Sequence, residues 1–160
     1  MKPKLYLETT IPSYLTARPT RDHLMAGQLT ATKKWWHLRR NDFELFISNT
    51  VLSEAALGDK LAAARRLEIL TSVGRLKNTP EVEMLAEQIM RQHLLPTKAA
   101  VDVVHIATAT VHGMHFLLTW NCTHINNREI IPSIERLCVD CGYRLPVICT
   151  PLELMGVSDI

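Results

Sequence analysis

Short apolar runs and longer, helically spaced segments take turns along this chain of 160 residues. Residues 4–8 (KLYLE), 43–48 (FELFIS), 116–119 (FLLT) and 147–149 (VIC) read as strands, and residues 75–78 as a very short one. Pro12 opens a turn or short helix after the first strand. A long helix is expected from Asp22 to Arg40, and another capped by Thr50 and closed by Gly58. The next runs from Lys60 to Val73, with Leu61, Ala64, Leu67 and Leu70 on one stripe, and Gly74 stops it. Thr79-Pro80-Glu81 starts a helix that reaches about His93. A last helix covers 125–141, with a break or fresh start at Pro132 and its end at Gly142.

The stretch TKAAVDVVHIATATVHGMHFLLTWNCTHINN, residues 97–127, dominates the pattern. Thr97 is the expected N-cap and Gly113 the expected residue just past the helix end. Between them Val101, Val103, Val104, Ile106, Ala107, Ala109 and Val111 make the helix apolar on nearly every side, which predicts burial. Asp102 interrupts that run, with His105 three residues on and on the same face. A buried carboxylate is costly unless it is paired, hydrogen-bonded or bound to a metal. Strands alternating with helices predict an α/β fold, a mostly parallel sheet with helices on both faces. In such a sheet ligands bind at the carboxyl ends of the strands. Glu8, Glu54, Asp102 and Asn121 all fall near strand ends or helix starts. Alone, Glu8 reads as a solvated strand end, and Glu54 as an acid complementing a helix N-terminus. Together, carboxylates in one crevice repel unless a cation sits between them. Oxygen ligands suit hard divalent ions such as Mg²⁺, and such a site activates water against a phosphodiester.

Composition changes this picture little. The chain is 47% hydrophobic and 21% charged, which is ordinary for a globular protein, and its net charge of +2 is too small to argue for nucleic acid. One local cluster, KKWWHLRR at residues 33–40, mixes cations with tryptophans, which suits single-stranded nucleic acid; one buried tryptophan, one at an interface and a solvated charged face is the stronger reading. The start, MKPKLYLETT, has no long apolar run of a secretory leader, so a cytoplasmic location is expected, with Cys122, Cys138, Cys141 and Cys149 reduced. Cys138-x-x-Cys141 alone is a weak zinc motif, and Cys138 falls in an apolar helix stripe, so structural thiols are expected. His105 is expected to be a buried, hydrogen-bonded imidazole rather than a general base. His124 can bind phosphate or metal, or stay exposed.

Four blocks carry a family resemblance: YLETT, SNTVLSEA, AVDVVHIATATVHG and FLLTWN. In order and spacing the chain resembles the PIN-domain nucleases, in particular the VapC-type toxins of toxin–antitoxin pairs. The resemblance implies a three-layer α/β/α sandwich spanning residues 1–157 and Mg²⁺- or Mn²⁺-dependent endoribonuclease activity. It also implies a homodimer and neutralisation by an antitoxin protein. It puts Glu8 in the place of the usual first aspartate, Glu54 at the glutamate after the second strand, and Asp102 at the acid before HIA. Asn121 stands where many members have aspartate, and the Thr119 hydroxyl can hold a water. Glu8 is one methylene longer than the usual residue, and Asn121 brings an oxygen without a charge. The alternative reading is a degenerate PIN domain that binds RNA or a protein without cutting. A phosphatase with a covalent aspartyl intermediate is disfavoured, because no strand ends in a DxD pair.

Overall fold

Five short strands form one all-parallel sheet in the order β3-β2-β1-β4-β5: β1 (Lys4–Leu7), β2 (Glu44–Ser48), β3 (Gly74–Leu76), β4 (Phe116–Leu118) and β5 (Val147–Cys149). This computed structural model describes residues 1–156; the expected domain end at residue 157 lies outside the described residues. Among the described residues seven α-helices connect the strands: α1 (Thr10–Thr16), α2 (His23–Arg39), α3 (Asn49–Ala55), α4 (Lys60–Ile69), α5 (Pro80–Arg91), α6 (Ala100–Val111) and α7 (Ile131–Asp140). The central strand shows why the architecture has three layers. Successive strand residues point to opposite faces, yet Leu5, Tyr6 and Leu7 are all 0% exposed, so helices cover both sides. Tyr6 lies level with Phe46 of β2 and Leu117 of β4, which fixes the register of the middle of the sheet.

The strand order reverses at β1. From there the chain steps to β2 and β3 on one side, then crosses to β4 and β5 on the other. The carboxyl ends of β1 and β4 therefore border the crevice where such sheets bind ligands.

The expected α/β class holds, and the differences lie at helix ends. Ser48 caps α3 through its hydroxyl, which accepts the Val51 N–H; the expected cap Thr50 lies inside the helix. Residues Thr97–Ala99 form a 3₁₀ turn, so Thr97 caps nothing and Asp102 falls in the first turn of α6. Helix α4 ends at Ile69, before Gly74, and Gly74 begins β3 instead of stopping a helix. A Cβ there would lie 2.8 Å from the Phe46 ring, which is why this edge position is glycine. Gly113 is the C′ residue expected, with φ of +68°. Pro132 marks a fresh start, sitting in the first turn of α7. Among the described residues no helix is long and apolar enough to cross a membrane.

The cysteines follow the thiol expectation. All four are free, with Cys138 and Cys149 buried and Cys122 and Cys141 exposed. Burial pushes the Cys138 thiol up to about 11 and the Cys149 thiol up to about 12, so both stay neutral and pack as small apolar groups. In the KKWWHLRR cluster, Trp36 and Arg40 lie at the opposite end of the strands from the crevice. Trp35 is 0% exposed and packs on Phe43, while Trp36 carries Arg40 over its ring and lines a cleft with Lys2, Glu44 and Gly74, at the amino ends of the strands.

Candidate metal centre

Glu8 leaves the carboxyl end of β1 and is only 3% exposed. Its N–H donates to the Leu118 carbonyl at 3.1 Å, which extends the β1–β4 pairing into the crevice. One carboxylate oxygen, Oε1, accepts three hydrogen bonds: from the Thr10 N–H (3.2 Å), the Thr10 hydroxyl (2.6 Å) and the Thr119 hydroxyl (2.7 Å). Those donors offset the burial of the acid and aim its other oxygen, Oε2, away from them.

Glu54 arrives from the far end of α3. It is the penultimate residue of that helix, so it cannot serve the helix N-terminus; it sits where it does for other partners. Its Oε1 accepts the Thr9 hydroxyl at 2.6 Å and faces His105 Nε2 at 2.5 Å. Burial raises the Glu54 pKa, but hydrogen bonds from His105 and Thr9 outweigh it and hold the acid below the ordinary carboxylate range. Glu54 is therefore an anion at neutral pH.

A buried chain of donors stands behind Glu54. His105 is 0% exposed, and its Nδ1 lies 2.6 Å from the Tyr6 hydroxyl, which lies 2.8 Å from Ser48 Oγ. Burial, above all, drives the Tyr6 pKa far up, so the phenol keeps its proton. An ionised carboxylate only accepts, so in the neutral imidazole Nε2–H donates to Glu54 and Nδ1 accepts from Tyr6. Tyr6 in turn accepts from Ser48, and every link is satisfied. Glu8, Glu54 and His105 each offer one ligand-type atom within 4.8 Å of the others. Both nitrogens of His105 are engaged, however, and we read it as the residue that orients Glu54 rather than as a ligand.

Asp102 stands apart from that trio. Its side chain is 20% exposed and its Oδ2 lies 3.0 Å from His124 Nδ1, a ring 19% exposed. Asn121 organises the loop between them. Its Oδ1, the oxygen the sequence offers to an ion, accepts the His124 N–H at 2.9 Å. Its own N–H donates to Thr119 Oγ1 at 2.9 Å, and its carbonyl accepts from Ile125 and Asn126. A continuous set of hydrogen bonds thus runs from Glu8 through Thr119 and Asn121 to His124 and Asp102. The sequence reading missed Tyr6, Ser48, Thr9 and Thr10 as parts of this arrangement. The run of hydroxyl residues after Glu8 was the one available signal; Tyr6 looked like any strand residue.

The donor set fits a hard divalent ion. Two carboxylates meet at close range, each with one oxygen tied by hydrogen bonds and a second oxygen without a hydrogen-bond partner among the described residues. No sulfur takes part, which disfavours a softer metal.

No family model matches the sequence, and no curated protein matches it either. Solved structures do. VapC20 of Mycobacterium tuberculosis, described as a sarcin–ricin loop cleaving toxin, superposes with a TM-score of 0.58 at 18% identity, covering 76% of this chain and 92% of that one. VapBC2 from Rickettsia felis, solved bound to a DNA fragment from its promoter, superposes with a TM-score of 0.58 at 15% identity, covering 91% of this chain and 97% of that one. The fold is therefore that of the VapC-type PIN domain.

Proposed function

We propose that this chain is a Mg²⁺- or Mn²⁺-dependent endoribonuclease, the toxin of a type II toxin–antitoxin pair, with residues 1–157 acting as one domain in the cytoplasm. The observation that carries the reading is the close pairing of Glu8 and Glu54 at the point where the strand order reverses. Two like charges held that close are destabilising unless a cation joins them. Glu8 and Glu54 would hold the ion, with Asp102 in the first turn of α6 and Asn121 in the loop after β4 completing the site. The ion, when bound, supplies charge neutralisation and an activated water for phosphodiester hydrolysis. Thr119 holds Glu8 in place and orients water near it; His105 holds Glu54. The contact between His124 Nδ1 and Asp102 holds that ring beside the acid. The likeness to one toxin described as cleaving the sarcin–ricin loop and to VapBC2, solved on a promoter DNA fragment, supports RNA as substrate and an antitoxin as partner. A homodimer is part of the same reading.

The test is cleavage of a mixed RNA pool by purified protein with Mn²⁺, with Mg²⁺ and with EDTA, beside a folded Asp102→Ala variant. Metal-dependent cleavage lost in the variant is the expected result. Equal cleavage by parent and variant would remove Asp102 from the site. One observation favours a second reading, RNA binding without cleavage: Asn121 brings no charge, and its side-chain oxygen already serves the loop. No cleavage under any condition supports that reading and makes Asn121→Asp the next variant.

A further inference from the structure

Beside the carboxylate pair stand two parallel aromatic rings that the fold alone does not explain. Tyr14 and Trp120 stack with centroids 6.0 Å apart and planes 12° from parallel. Both side chains are only partly buried. They are tied to the site by one hydroxyl. Thr10 and Tyr14 are four residues apart on α1, hence on one face. Thr10 Oγ1 accepts the Trp120 N–H at 2.9 Å and donates to Glu8 Oε1 at 2.6 Å. The ring pair and the carboxylate thus share a single anchor.

The rings are also held rigid. Trp120 Nε1 donates to Thr32 Oγ1 at 2.7 Å, and Thr32, itself 0% exposed, donates to the Gln28 carbonyl at 2.7 Å. That fixes the indole plane before any ligand arrives. The Tyr14 hydroxyl, by contrast, has no hydrogen-bond partner among the described residues. Burial raises its pKa first, and the negative charges of Glu8 and Cys122 raise it further.

A nucleotide carries its base one ribose away from its phosphate. A strand whose phosphate sits at Glu8 must therefore place a base near Glu8. We propose that Tyr14, backed by Trp120, is a stacking subsite for one unpaired base of single-stranded RNA beside the phosphodiester to be cut. This rests on the nuclease reading above. A base inside a duplex already has neighbours on both faces, so a subsite of this kind selects splayed, unpaired nucleotides. Every base has a π-face, so it does so with little sequence preference.

The test measures binding of a dye-labelled single-stranded RNA of about eight nucleotides, with Ca²⁺ in place of Mn²⁺ so that binding is read without turnover. Tyr14→Ala should weaken binding by about 5- to 100-fold, and Tyr14→Phe by no more than about twofold, since the stack survives. Where the chain cleaves, Tyr14→Ala should raise KM far more than it lowers kcat. A folded Tyr14→Ala protein that binds as tightly as the parent overturns the subsite and leaves the nuclease reading intact. Tight binding that depends on Tyr14, without cleavage in Mn²⁺, supports the subsite and overturns hydrolysis. A parent protein that binds no single-stranded RNA overturns both.

Discussion

The most constrained residue in the site is one that touches no ligand. Tyr6 lies in the central strand, fully buried, and its hydroxyl joins Ser48 to His105, which holds Glu54. Tyr6→Phe leaves the ring in place and removes one oxygen. It strands the buried Nδ1 of His105 and the Ser48 hydroxyl, at a cost of about 1–3 kcal/mol in unfolding free energy. It also frees the imidazole that orients Glu54, so the Mn²⁺ concentration needed for half-maximal activity should rise about 10-fold or more. Chemical denaturation and a metal titration of activity check the two parts separately. A stability loss with an unchanged metal titration would mean that Glu54 keeps its place without the Tyr6–His105 hydrogen bond. At this scale the sequence revealed acids better than their supports. Glu8 and Glu54 stood out because a charge at the end of an apolar run is conspicuous. Tyr6 did not, because an aromatic in a strand is ordinary and its hydroxyl partners lie 42 and 99 residues away in sequence. Asn121 stood out as a polar residue just past a strand end, but the use of its side-chain oxygen to turn the loop became visible only in three dimensions.

Among the elements, strands were easier to read than helix ends. A buried parallel strand is a dense apolar run, and all five appear within a few residues of their predicted places. Helix starts depend on which of several adjacent hydroxyls bonds the first free N–H groups, and Ser48, Asn49 and Thr50 all qualify by residue type. The turn after β5 shows how a single acid settles such a local choice. Glu153 Oε1 accepts the Thr150 N–H and the Asn126 side-chain amide, each at 3.0 Å, and Oε2 accepts from Arg128 at 3.1 Å. This ties the chain after β5 to the loop that carries Asn121 and His124. Burial raises the Glu153 pKa, but the Thr150 backbone, Asn126, the Thr150 hydroxyl and Arg128 together pull it below the ordinary carboxylate range. A group with a lowered folded pKa contributes stability that is present above the unfolded pKa and is lost as pH falls through the folded one. Glu153→Gln should therefore be less stable than the parent at pH 7, by about 1 kcal/mol or less because the side chain is 44% exposed. The gap should narrow as the pH falls from 7 to about 3, through the ordinary carboxylate range and toward the lowered folded pKa. Thermal melts at the two pH values measure it; a gap that persists at acid pH would assign the effect to packing rather than charge.

At the scale of the whole molecule, the alternation of strands and helices was enough to place the site, because an open parallel sheet concentrates chemistry at one edge. The tryptophan-rich cluster at residues 33–40 shows the limit of that logic. Its composition suited RNA, yet Trp35 belongs to the core and Trp36 lies at the amino ends of the strands, away from Glu8. Composition gives no direction along a sheet, whereas topology does. The same topology creates a conflict that a bound ion would resolve. Folding brings Glu8 and Glu54 together, so without a cation their repulsion subtracts from the stability of the whole domain. Glu8→Gln keeps an oxygen for Thr10 and Thr119 and removes one charge. In EDTA the variant should be as stable as the parent or more so. With Mn²⁺ at about 100 times its dissociation constant, the parent should gain about 2.7 kcal/mol by mass action, an upward shift in Tm of roughly 5–10 °C. The variant, missing a ligand charge, should gain little. The order of the two melting temperatures should therefore reverse between EDTA and Mn²⁺. Differential scanning fluorimetry reads both conditions on one plate. An order that stays the same would mean that Glu8 does not hold the ion, whatever the protein does to RNA.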